Sequence, residues 1–301
     1  MSNVTVQQLI LAGSHFGHLT RRWNPKMKPY IFMEKNGIYI IDLYKTKQLL
    51  DNACEAVRQI VERGELVLFV GTKKQARDIV QAEAARAGMP YVNERWLGGM
   101  LTNFVTIRKS VKKLENLEKK QVDGTYDVIS KKERLTIDKQ KEKLEIALTG
   151  IRTMKKLPGA VFVVDTLEED IAVREARKLG IPVFALVDTN ADPDPIDYPI
   201  PANDDAYKSI GLITKTFTDA VVEGLAKAEA VKQDTEEPAE EKPKDKKGAR
   251  RPARRRRTGG GGKGGDKGDG GGKGGGASRG KGGPRGGGKG APRGDKGAAK
   301  A

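Results

Sequence analysis

The sequence predicts a three-layer α/β protein, with a parallel sheet covered by helices on both faces, an inserted antiparallel helical hairpin and a disordered C-terminal tail. Three observations carry this. Apolar runs over residues 66–70, 160–164 and 182–187 are continuous and rich in β-branched or aromatic residues, and they end at Gly71, Asp165 and Asp188. Uninterrupted runs of that kind mark strands buried on both faces, and right-handed crossovers between them give a sandwich of helix, sheet and helix. Residues 104–157 show no strand pattern, but a narrow apolar seam flanked by Lys and Glu. Past Asp234 the composition changes: 23 of the 37 glycines lie in residues 234–301, and no aromatic or large aliphatic residue follows Val231.

The elements follow in order. Residues 37–41 (Gly-Ile-Tyr-Ile-Ile) read as a short strand, followed by a helix over about 45–63. The run at 66–70 leads through Gly71 into a helix over about 73–87, and the run at 160–164 leads through Asp165 into a helix ending near Leu179. The last helix spans about 204–230, with Ile210, Ile213, Phe217, Val221 and Leu225 at helical spacing. Within 104–157, Ile107, Val111 and Leu114 step by four and three, as do Leu144, Ala147 or Leu148, Ile151 and Met154, with a turn-like stretch at 121–126 between them. Such a seam predicts two long helices packed as a hairpin with little core of its own. The expected organisation is a body over 1–233, interrupted by the hairpin at 104–157, and a tail over 234–301. The tail has no side chains whose burial could offset the entropy of ordering it.

The net charge is +16, and residues 234–301 hold 20 of the 56 Lys and Arg but only 9 of the 40 Asp and Glu. Most of the excess therefore lies in the tail, and the body is mildly basic. A surplus of this sign attracts polyanions, nucleic acid first and an acidic membrane surface second. No run of about 20 apolar residues exists to span a bilayer, and residues 1–12 lack the features of a secretory signal. Cys54 is the single cysteine, which rules out an internal disulfide framework and fits a cytoplasmic protein.

Four stretches are candidate sites. Gly71-Thr72-Lys73-Lys74-Gln75 sits where a strand hands over to a helix. Free amides there favour an anion, but the phosphate-loop and dinucleotide spacings are absent, so an ordinary turn with solvated lysines is the preferred reading. Arg21-Arg22-Trp23-Asn24-Pro25-Lys26-Met27-Lys28-Pro29-Tyr30 interleaves bases, aromatics and prolines in what reads as an extended loop. Arg21, Arg22, Lys26 and Lys28 can neutralise phosphates, and Trp23 either stacks on a base or pins the loop. In the stretch 93–103, Arg95 is a candidate contact, whereas Trp96 reads as core. On the first hairpin helix Arg108, Lys109, Lys112 and Lys113 are candidates, and in the tail so are Arg254, Arg255, Arg256 and Arg257. The fourth stretch is acidic: Asp188, Asp192 and Asp194, then Asp204 and Asp205, at a sheet edge where open α/β folds bind ligands. Adding His15 or His18 would suit Zn²⁺, with His18, Asp188, Asp204 and Asp205 as the candidate set, and the carboxylates alone suit Mg²⁺. The preferred reading is structural: Asn203 or Asp204 caps the last helix, while Asp188 and Asn190 organise a loop. Nothing pairs a nucleophile with a base. His15 and His18 are the only histidines, both in a glycine-rich loop, and Cys54 reads as a buried thiol.

Several blocks occur in a fixed order: Gly13-Ser14-His15-Phe16-Gly17-His18, Arg22-Trp23-Asn24-Pro25-Lys26-Met27, Phe69-Val70-Gly71-Thr72-Lys73-Lys74-Gln75 and Arg95-Trp96-Leu97-Gly98-Gly99-Met100-Leu101-Thr102-Asn103. They are followed by Ile181-Pro182, Asp188-Thr189-Asn190 and Tyr198-Pro199-Ile200-Pro201-Ala202-Asn203-Asp204-Asp205. Over about residues 1–230 this ordered set resembles the bacterial "S two" family of small-subunit ribosomal proteins. The resemblance implies a flavodoxin-like sheet with an inserted helical hairpin, and a structural role without catalysis or cofactor. It implies small-subunit rRNA as a partner, bound on the solvent side between head and body. It also implies docking of the OB-repeat ribosomal protein that captures mRNA. The Arg/Gly/Lys tail from about Arg250 departs from the family's common body. Two alternatives remain: a nucleotide- or metal-binding enzyme on a flavodoxin-like fold, and a general RNA chaperone acting through the tail.

Overall fold

The computed structural model describes residues 4–123 and 130–236. The remainder of the tail, including Arg254 to Arg257, and residues 124–129, which take in part of the stretch expected as a turn, lie outside the described residues.

The chain opens with a short helix α1 (Val6–Leu11), held by a capping box between Thr5 and Gln8. Three strands follow: β1 (Phe16–Leu19), β2 (Ile31–Lys35) and β3 (Ile38–Ile41). They form an antiparallel sheet in the order β1-β3-β2. The strand expected at 37–41 is therefore present, but as the centre of a separate ribbon and not as part of the parallel sheet. Asn36 and Gly37 connect β2 to β3 with φ of 55° and 73°, as a two-residue hairpin turn requires. The stretch read as an extended loop instead forms two 3₁₀ turns, Thr20–Arg22 and Pro25–Tyr30. Pro25 at the start of the second lacks an N–H that would have no partner there, and Asn24 Oδ1 accepts from the Lys26 amide (3.0 Å).

Helix α2 (Leu43–Glu62) begins two residues earlier than the sequence predicts, because Asp42 caps it by accepting from the Tyr44 amide (3.0 Å). The parallel sheet contains β4 (Val67–Val70), β5 (Tyr91–Val92), β6 (Ala160–Val164), β7 (Val183–Val187) and β8 (Tyr198–Pro201), in the spatial order β5-β4-β6-β7-β8. Counting from β4, this is the order 2-1-3-4-5, the flavodoxin-like arrangement. The register sets Phe69 beside Phe162, and Phe162 beside Phe184. Helices α3 (Arg77–Arg86), α6 (Asp170–Lys178) and α7 (Tyr207–Glu236) complete the alternation.

Alternate strand residues feed two cores. Val67, Phe69, Phe162, Val164, Phe184 and Leu186 face a core built with α2, α3 and α7. Leu68, Val70, Val161, Val163, Ala185 and Val187 face a second, built with α6 and the hairpin root. Phe217 of α7 sits among three strand aromatics, with ring centroids 4.3 Å from Phe162, 5.3 Å from Phe184 and 6.0 Å from Phe69. Burying a side chain of that size contributes about 2–3 kcal/mol. The β8 edge carries Pro199 and Pro201, which cannot template further pairing, and Thr46 of α2 donates its hydroxyl to the Pro201 carbonyl (2.6 Å).

The insertion consists of α4 (Phe104–Val122) and α5 (Lys131–Leu148), which pack on one another. Ser130 and Glu133 form a capping box at the start of α5. The seam is buried at the root, where Ile107, Val111, Leu114, Leu148, Ile151 and Met154 join the second core. Toward the start of α5, Leu135 is exposed.

Candidate functional site

The switch point of this strand order lies between β4 and β6, where a flavodoxin-like sheet opens a crevice at its carboxyl edge. Here the crevice holds the chain's own side chains. After β4 the backbone turns at Gly71, and the Thr72 N–H donates to Glu169 Oε1 (2.7 Å). Lys73 turns inward, its ammonium lying 2.6 Å from Asp205, 2.8 Å from Asp204 and 3.1 Å from Asp165. Helix α3 begins at Arg77, whereas the sequence predicts a start at 73; a turn closed by the Ala76 amide on the Lys73 carbonyl (2.8 Å) precedes it. Burial works against the Lys73 ammonium, but the hydrogen bonds it donates to Asp204 and Asp205 outweigh it and raise its pKa. Lys73, a candidate phosphate contact by sequence, is thus the counter-ion of an internal acidic cluster. Lys74 is exposed.

Asp165 has a φ of 68° and folds back to accept from the Leu167 amide (2.9 Å), which places the start of α6 at Asp170. Asn203 Oδ1 accepts from the amides of Asp205 (2.8 Å) and Ala206 (3.2 Å) before α7, so Asn203 takes the turn-forming role. Asp204 does not cap the helix; it faces Lys73. Burial first, then the charges of Asp188 and Asp165, push the Asp204 carboxyl up to about 7, against the pull of Lys73. His18 is on β1 and not in a loop. Its Nδ1 is 2.9 Å from Asp188 Oδ2 and its Nε2 is 3.4 Å from Asp205 Oδ2, and Asp188 raises its pKa above the ordinary histidine value. Among the described residues, His18, Asp188 and Asp204 present ligand atoms all within 4.8 Å of one another.

Thr189 fastens the N-terminal ribbon to this edge. Its Oγ1 accepts from the His18 amide (2.8 Å) and its carbonyl from the Asn24 amide (2.8 Å). A Cβ on Gly17 would lie 2.6 Å from Thr189 Cγ2, so only glycine permits this approach. The ordered blocks around Gly17, Asn24 and Thr189 are therefore one contact.

The basic candidates divide into two groups. Lys26 spans to Asp192 (2.7 Å) and Asp194 (2.6 Å), and Arg108 donates to the Arg152 carbonyl (3.1 Å). Arg21, Arg22, Lys28, Lys74, Arg95, Lys109, Lys112 and Lys113 are exposed and form no ion pair among the described residues. Trp23 packs on Tyr39 with centroids 5.0 Å apart, pinning its segment to the ribbon. Trp96 is buried as expected and donates its indole N–H to Glu175 (3.2 Å). Sequence reasoning did not single out Asp165, Glu169 or Glu175, which sit in helical or turn contexts with no motif around them. It also passed over a groove of about 330 Å³ at the N-terminus, where exposed Ile10, Phe32 and Tyr44 meet Val6, His15 and Ile40. No helix among the described residues is long and apolar enough to cross a membrane.

In this flavodoxin-like protein the ligand crevice of the sheet is filled by the chain's own carboxylates and lysine, and exposed cations lie on loops and a helical arm. The family model for ribosomal protein S2 matches residues 9–224. The chain is 59% identical over 239 residues to "Small ribosomal subunit protein uS2" of Chloroherpeton thalassium, covering 79% of this chain and 94% of the relative. It is 57% identical over 234 residues to the protein of the same name from Chlorobium phaeovibrioides, covering 78% and 90%. It is 56% identical over 231 residues to that of Cytophaga hutchinsonii, covering 77% and 91%. The chain belongs to the ribosomal protein S2 family, and membership makes it a structural, non-enzymatic, ribosome-associated protein of the cytoplasm.

Proposed function

We propose that the chain binds small-subunit rRNA and docks the OB-repeat ribosomal protein that captures mRNA. The observation that carries the first part is the division among its cations. Lys73 and Lys26 are held by internal carboxylates, while Arg21, Arg22, Lys28, Lys74, Arg95, Lys109, Lys112 and Lys113 stand exposed without a partner among the described residues. Phosphate contacts of this kind position a protein on RNA through shape and charge. The tail over 234–301, with Arg254 to Arg257, adds salt-sensitive affinity that does not depend on sequence. For the second part, the groove lined by Ile10, Phe32 and Tyr44 offers an apolar seat for a segment of the partner.

The test is incorporation into small subunits and binding to small-subunit rRNA. Replacing Arg21, Arg22 and Lys28 together by Ala is expected to weaken rRNA binding roughly tenfold or more and to flatten its salt dependence by about two phosphate contacts. Normal subunit occupancy and an unchanged salt slope would remove the loop from the interface. A chain ending at residue 233 is expected to enter subunits still; loss of incorporation would favour the tail-borne RNA-chaperone reading.

A second reading concerns a divalent cation. His18 Nδ1 and Asp188 Oδ2 lie buried 2.9 Å apart, with a carboxylate oxygen of Asp204 close by. One imidazole with the carboxylates of Asp188 and Asp204 suits Zn²⁺ better than Mg²⁺. The purified chain is expected to carry zinc, and the His18→Ala variant to lose it; equal metal content in the two overturns the site.

A further inference from the structure

We propose that Glu175 is a positioning residue for RNA contact, organising the loop from Arg95 to Asn103 so that Arg95 and the exposed face of α4 reach phosphate together. The inference rests on the rRNA-binding reading above. Glu175 lies on α6, is buried, and makes its hydrogen bonds to this one loop. Its Oε1 accepts from the Trp96 indole (3.2 Å) and the Gly99 amide (2.6 Å). Its Oε2 accepts from the Leu101 amide (3.0 Å) and from the Thr102 amide and hydroxyl (both 3.0 Å). Both oxygens thus have two or more donors, and a carboxylate is the side-chain group that offers acceptors on both sides.

The loop gains its shape from that anchor. Gly99 has a φ of 85°, and Met100 and Leu101 are buried beneath the turn. Arg95 precedes the anchored indole directly, and among the described residues its exposed side chain has no internal partner. The other end of the loop becomes α4 at Phe104, and Lys109, Lys112 and Lys113 follow within three turns. Without Glu175 the amides of Gly99, Leu101 and Thr102 lose their shared acceptor, and the spacing between Arg95 and the α4 lysines is no longer set. An amide at 175 does not replace the carboxylate, because in either orientation its NH₂ group faces donors.

A double-mutant cycle on the full chain, read as affinity for transcribed small-subunit rRNA, tests this. R95A is expected to weaken binding about fivefold in the parent chain and less than twofold in E175Q, with a salt slope shallower by about one in either single variant. Amide exchange in E175Q is expected to accelerate at Gly99, Leu101 and Thr102 while the strand amides of β6 and β7 stay protected. A purely structural Glu175 predicts otherwise: E175Q and R95A losses that multiply, which overturns the inference. Unchanged loop exchange in E175Q overturns it too. If E175Q fails to fold, W96F, which removes only the indole donor, runs the same cycle with R95A. A parent chain that does not bind rRNA defeats the RNA-binding reading itself and this inference with it, whereas additivity in a parent that binds defeats this inference alone.

Discussion

Two buried glutamates illustrate how the number of donors decides what a carboxylate contributes. Glu175 has five donors, and although burial raises its pKa, the backbone hydrogen bonds from Thr102, Gly99 and Leu101 outweigh it and hold the carboxyl below the usual range. Glu169 is met by Thr72 alone among the described residues, and burial leaves its pKa raised. The folded protein therefore binds a proton at Glu169 more readily than the unfolded chain does. The stabilisation this provides is present below the ordinary glutamate value and is lost as pH rises through the folded value. E169Q, which keeps an acceptor for Thr72, is expected to be more stable than the parent at pH 7.5, with the gap closing toward pH 4. Urea unfolding at both pH values checks it, and a gap that grows on acidification would contradict the assignment. Neither residue was legible in the sequence, because a glutamate in a helical stretch reads as solvated until the fold buries it.

At the scale of elements, α4 separates two tasks by face. Ile107, Val111, Leu114 and Leu117 are buried, and Lys109, Lys112 and Lys113 point away. L114A is expected to cost about 3 kcal/mol of stability. K112A with K113A is expected to change stability by less than about 0.5 kcal/mol while weakening rRNA binding. Denaturant unfolding and rRNA titration of both variants check the separation, and an equal stability loss in the two would refute it. The helical seam was readable because a buried stripe repeats every three or four residues. The parallel strands were readable as uninterrupted apolar runs. β1 and β2 were not: β1 contains Gly17 and His18, chosen for their contact with Thr189 and the acidic edge, and β2 is almost wholly exposed. The Asn36-Gly37 turn was the available signal for that hairpin. Two helix starts were displaced where a side chain captured the first turn, Asp42 for α2 and Asn203 for the approach to α7.

For the whole molecule, the net charge of +16 overstates what the body offers to RNA. Much of it belongs to residues 234–301, beyond the family match that ends at residue 224. Inside the body, Lys26 and Lys73 are neutralised by carboxylates distant in sequence, which concentrates the proposed contact on fewer cations. By itself the sequence determined the α/β class and the family, because these reside in periodicity, composition and the order of short blocks. The tertiary structure alone decided which charges are available. Lys73 meets Asp165, Asp204 and Asp205 only once a parallel sheet brings three strand ends to one edge. Glu175 meets its five donors only once α6 lies under the loop before α4. Periodicity is local along the chain, whereas an ion pair depends on distance in space, and at these positions chain closure sets that distance.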